Sequence, residues 1–133
     1  MATILIIDDD PDSVSILETF LEARGHAAHG AADGEAGLAA VDELEPDVVI
    51  LDVMMPGMDG WEVARRIRRQ PRHADLRILM LTARDSQEAR REGEAAGADA
   101  YMVKPVGLED LGAGVDRLLG DGPGAGPTEA GPS

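Results

Sequence analysis

Four apolar runs in this chain each end on residues suited to phosphate and metal chemistry. Ile4-Leu5-Ile6-Ile7 runs into Asp8-Asp9-Asp10, and Val48-Val49-Ile50-Leu51 runs into Asp52. Ile78-Leu79-Met80-Leu81 ends on Thr82, and Tyr101-Met102-Val103 ends on Lys104-Pro105. Carboxylates ligate hard divalent cations, while a hydroxyl and an ammonium can meet phosphoryl oxygens. Short runs rich in Val and Ile read as strands buried on both faces of a parallel sheet. In such a sheet the ligand site lies beyond the carboxyl ends of the strands. The acids, the hydroxyl and the ammonium are therefore expected to converge on one edge. Together they can hold a divalent cation and a phosphoryl group.

Composition narrows the classes. At 133 residues the chain has room for one core. No apolar run approaches the roughly 20 residues of a membrane-spanning helix. The first apolar run has no basic segment before it and meets acid at once, unlike a secretory signal. There is no Cys, which excludes disulfides, thiolate metal sites and thiol catalysis. A cytoplasmic setting fits this. The net charge is −14, from 26 acids against 12 bases, which opposes binding to nucleic acid or anionic lipid. Most scattered acids simply solvate the surface. A buried carboxylate cluster is different, because like charges raise each other's pKa and a cation relieves them. Eleven of the twelve bases are Arg, so the single Lys, Lys104, stands out as a compact point charge.

Strand and helix signals alternate five times. Asp10 and Pro11 read as an N-cap and first helical residue, with Val14, Leu17 and Leu21 on one face and Gly25 as the stop. The second strand is expected around His26 to Ala31, at a sheet edge because its propensity is poor. Asp33-Gly34 opens a helix that ends before Pro46. Strand three covers Val48 to Leu51, and a helix from Gly60 to about Gln70 follows the loop Met54 to Asp59. Strand four is Ile78 to Leu81, and Ser86 to Ala96 is a charged helix stopped by Gly97. Strand five is Ala100 to Val103. The last helix spans about Leu108 to Leu119, with Leu108, Leu111, Val115 and Leu118 inward. Five βα units with short connections imply a doubly wound five-stranded parallel sheet in a three-layer α/β sandwich. Residues 1–119 form the domain. Residues 120–133, rich in Gly and Pro, are expected to be a disordered tail or a linker to a further domain.

Residues 3–119 resemble the receiver domain of bacterial response regulators, the flavodoxin-like fold of CheY. The acidic pair is Asp8 and Asp9. The acceptor segment Asp-x-x-Met-Pro-x-Met-Asp-Gly stands intact from Asp52 to Gly60. Thr82-Ala83 follows strand four, and Gly-Ala-x-x-Tyr-x-x-Lys-Pro runs from Gly97 to Pro105. Any one piece is weak, but all four in order are specific. The resemblance implies that Asp52 accepts a phosphoryl group from a histidine kinase or phosphotransfer protein. It implies Mg²⁺ held by Asp8, Asp9, Asp52 and the backbone carbonyl of Met54, with Asp10 serving as a cap. Thr82, Ala83 and Lys104 then meet the phosphoryl group, and the bond before Pro105 is cis. Tyr101 lies on the strand face opposite Lys104 and turns inward when Thr82 moves. The output leaves through the last helices and strand five to an effector or output domain.

The pattern also departs from the family. Val106 stands where Phe is usual. Gly112 and Gly114 weaken the last helix, and Gly114 replaces the Arg that serves the dimer face of regulators with winged-helix outputs. A rival reading is a Mg²⁺-dependent phosphohydrolase using an aspartyl phosphate. Such enzymes carry a second acid two residues after the nucleophile, where this chain has Met54. A phosphate-independent interaction module is disfavoured by the complete acceptor set. Neither a Walker loop nor a dinucleotide glycine fingerprint is present.

Overall fold

The computed structural model describes residues 2–83 and 86–121. Five parallel strands form one sheet: β1 (Thr3–Ile7), β2 (Ala27–Ala31), β3 (Val48–Asp52), β4 (Arg77–Thr82) and β5 (Ala100–Val103). Their order is β2-β1-β3-β4-β5. The helices are α1 (Pro11–Ala23), α2 (Gly34–Leu44), α3 (Gly60–Arg68), α4 (Gln87–Ala96) and α5 (Leu108–Asp121). The three central strands are the expected apolar runs, and Val48, Val49, Ile50 and Leu51 are all fully buried. Such runs demand cover on both faces. Ile4, Ile6, Ile50 and Leu79 face α1 and α5, meeting Leu17, Leu21, Leu111 and Val115. Leu5, Ile7, Val49, Leu51 and Met80 face the other helices, meeting Val41, Val63 and Ile67. The result is a doubly wound α/β sandwich of three layers.

Local signals set the helix ends. The side chains of Asp10, Asp33, Asp59 and Ser86 each accept a backbone N–H in the first turn of α1, α2, α3 and α4. Gly25 and Gly97 close α1 and α4 with positive φ, which L side chains resist. The sequence offers no glycine after α2. There Glu45 itself takes the left-handed turn at φ 47°, before Pro46 prevents continuation.

Three expectations need correction. Leu108 begins α5 but is 38% exposed, because it lines the open groove beside Ile16 and Val106 and does not enter the core under the sheet. Helix α3 ends at Arg68, because Pro71 starts a separate 3-10 turn over Pro71–His73. Helix α5 runs on through Gly120 and Asp121. The rest of the expected tail lies outside the described residues. Gly112 of α5 has a packing reason. A Cβ on Gly112 would stand 3.0 Å from Arg24 Cζ and 3.1 Å from Phe20 Cζ, so α5 passes close over α1 there. Arg24 also pairs with Asp116 across the same two helices.

Candidate functional site

The order β2-β1-β3 puts β1 and β3 side by side, although the connections leaving them go to opposite faces. A crevice opens where the winding reverses, at the carboxyl ends of these strands. Asp8 follows β1 and Asp52 closes β3, and both are buried, at 4% and 6% exposure. Asp9 is exposed beside them. One carboxylate oxygen from each of the three lies within 4.8 Å of the others. Asp10 points away to cap α1, as its place before Pro11 predicts.

Backbone donors hold the buried acids. The Asp10 amide donates to Asp8 Oδ1 at 2.9 Å, and the Met54 amide donates to Asp52 Oδ1 at 3.3 Å. Lys104 arrives from the end of β5. Its Nζ stands 3.4 Å from Asp52 Oδ1 and 3.6 Å from Asp8 Oδ2. The Lys104–Pro105 bond is cis, and the Lys104 amide donates to the Thr82 carbonyl at 2.7 Å. Thr82, at the end of β4, is fully buried, and Ala83 beside it is exposed.

Burial pushes the Asp52 carboxyl above its ordinary value. Lys104 opposes that shift and Asp8 adds to it. At Asp52 the cost of burial therefore outweighs the attraction of the ammonium. The donor set is all oxygen, which suits a small hard cation that keeps some of its water.

Gly60 makes the loop after β3 fit. A Cβ there would stand 2.5 Å from the Asp52 carbonyl oxygen and 2.7 Å from Val53 Cα. The Gly60 amide donates to the Val53 carbonyl at 2.9 Å, so α3 starts directly against the end of β3. Beside the acids, a groove of about 520 Å³ runs from Asp8 and Lys104 past Ile16, Val106 and Leu108. Ile16 is 55% exposed on its rim.

Tyr101 lies on the face of β5 opposite the α5 side. It pairs in register with Met80 and packs with the core under α3 and α4. Thr82 stands two residues beyond Met80, hence on the same face of β4. Sequence reasoning did not single out Gly93 and Arg90, which meet the Tyr101 ring from α4. Nor did it find the buried His73, whose Nε2 lies 2.9 Å from Asp42 Oδ1. Both pairings join different elements and leave no periodic signal.

Comparison with known proteins agrees with this geometry. The model of the response regulator receiver domain matches residues 4–116. The DNA-binding dual master transcriptional regulator RpaA of Synechocystis is 42% identical over 119 residues, covering 90% of this chain and 49% of that protein. The transcriptional regulatory protein AfsQ1 of Streptomyces coelicolor is 44% identical over 119 residues, covering 90% and 52%. The chain thus spans about half the length of these relatives. The chemotaxis protein CheY4 of Vibrio cholerae superposes with a TM-score of 0.86 at 37% identity, covering 90% of this chain and 99% of that one. The chain belongs to the response regulator receiver domain family, the phospho-accepting switches of two-component signalling.

Proposed function

We propose that Asp52 is the phosphoacceptor of this receiver. The observation that carries the reading is the convergence of Asp8, Asp9 and Asp52 with Lys104 at one sheet edge. A phosphohistidine on a kinase or phosphotransfer protein is the donor. Its N–P bond breaks as Asp52 forms an O–P bond, and the imidazole leaves with the electron pair. Asp8, Asp9, Asp52 and the Met54 carbonyl would hold Mg²⁺, which neutralises charge on the phosphoryl oxygens. Lys104 pairs with one of those oxygens, and Thr82 and Ala83 offer a hydroxyl and a backbone amide to the others. Tyr101 follows Thr82. The chain is an acceptor that assists its own transfer and not a turnover enzyme, because Met54 cannot act as acid or base. It acts in the cytoplasm, where the kinase domain and its donor histidine reside. Its output passes through β5 and the last helices to an output domain or effector, as the transcriptional relatives suggest.

Incubation with acetyl phosphate and Mg²⁺ should add the mass of one phosphoryl group and give an alkali-labile label. D52N should abolish it, and D9A should remove most of the labelling and its response to added Mg²⁺. Label retained in D52N would place the acceptor elsewhere.

A further inference from the structure

Helix α4 turns only small residues inward: Ala89, Gly93 and Ala96 are its buried positions. The ring of Tyr101 fills the space beneath them. A Cβ on Gly93 would stand 3.0 Å from Tyr101 Cδ2 and 3.2 Å from Cε2, with Met80 Sδ at 3.3 Å. One turn earlier, the Arg90 guanidinium lies over the same ring, 5.1 Å from its centroid. A glycine inside a helix weakens it relative to alanine. Here an added methyl would press on the edge of the ring and ask it to give by a few tenths of an ångström. The seat therefore has a floor from β4, a groove from Gly93 and a cationic cover from Arg90.

We propose that Arg90 and Gly93 are positioning residues that seat Tyr101 on α4 and so set how readily a ligand at Asp52 draws the ring away. The inference rests on the reading of Asp52 as phosphoacceptor. Thr82 lies on the same face of the sheet, diagonal to the ring and next to the acceptor edge. A ring that moves along this face toward Thr82 leaves both the groove and the guanidinium. Both contacts thus favour the seated state. By linkage, any ligand at Asp52 that prefers the displaced ring works against them. A cation over a partly exposed aromatic ring is worth roughly a two- to fivefold bias between the two states. Arg90 and Gly93 touch no reacting atom and act only through the ring.

The full chain contains one tyrosine, so a ring-labelled sample gives a single set of aromatic resonances. The probe is beryllofluoride with Mg²⁺, a tetrahedral anion that mimics a phosphoryl group on a carboxylate. R90A and G93A should displace the Tyr101 resonances in the unliganded chain and tighten beryllofluoride binding roughly two- to fivefold. R90K, which keeps a cation, should stay close to the unaltered chain. A merely structural role would move the melting temperature and leave the affinity where it was. Ring resonances and affinity that superpose on the unaltered chain in both R90A and G93A would overturn the seat. R90K tracking R90A would remove the cation from it. If the unaltered chain fails to bind beryllofluoride, or binds it equally in D52N, the reading of Asp52 itself fails. Binding at Asp52 with unresponsive variants overturns the seat alone.

Discussion

Lys104 is the residue on which the site balances. Two buried carboxylates face it, and no other cation among the described residues pairs with either of them. Removing one partner of a buried charged contact leaves the others desolvated and unpaired, which costs more than the contact itself contributes. K104M should therefore destabilise the metal-free chain by about 1–3 kcal/mol. In a D52N background the same change should cost less, since only Asp8 then lacks its cation. A urea-unfolding cycle of the two single variants and the double variant measures the difference. Equal costs in the two backgrounds would show that Lys104 does not serve Asp52. Arg would not substitute cleanly, because its planar fork needs more room than an ammonium between two acids.

At the scale of elements, the close start of α3 against β3 is the sharpest constraint. The atoms that a Cβ on Gly60 would meet are backbone atoms of Asp52 and Val53, which cannot rotate aside. G60A should cost about 1–3 kcal/mol as an overpacked contact. It should also slow labelling of Asp52 by acetyl phosphate, since the strand end shifts with the helix. Unchanged labelling together with unchanged stability would mean that α3 can lift without moving β3. Gly114 is unlike Gly60: its added methyl would meet Met102 Cε at 3.3 Å, the far end of a flexible side chain.

A second element-scale contact joins α2 to the 3-10 turn through Asp42, His73 and Arg72. The bond from His73 is the main cause that holds the Asp42 carboxyl below its ordinary value, with Arg72 adding to it. A carboxyl depressed in the folded state contributes stability above its unfolded value, lost as pH falls through the folded one. D42N should therefore show a shallower fall in melting temperature than the unaltered chain on acidification below about pH 5. Parallel curves would place the acid sensitivity elsewhere. Strands β1 and β3 and the N-caps were legible, because runs of Val and Ile and residues such as Asp10-Pro11 act locally. The 3-10 turn, the exposure of Leu108 and the Asp42–His73 contact were not. They depend on where one element crosses another, which no local period records.

For the molecule as a whole, sheet order and net charge act at different ranges. The order β2-β1-β3-β4-β5 gathers chemistry from four strand ends onto one edge, and that edge was readable because each apolar run ends on an Asp, a Thr or a Lys. Charge speaks instead about encounter. Many of the arginines are spent within the fold: Arg68 bonds the Gly97 and Leu76 carbonyls and pairs with Asp99, while Arg65 and Arg66 both pair with Glu62. With −14 net charge and these arginines so engaged, the described residues present no face suited to neutralising several phosphates at once. Its relatives include a protein named for DNA binding, but the chain spans only about half of that protein's length. Duplex DNA should therefore run unretarded with the 133-residue chain at physiological salt. Lowering the salt should leave it so, because repulsion between two polyanions only grows as screening falls. Phosphorylation adds further negative charge and should not change the result. A retarded band that weakens as salt is raised would reveal a cationic face that this charge distribution does not provide.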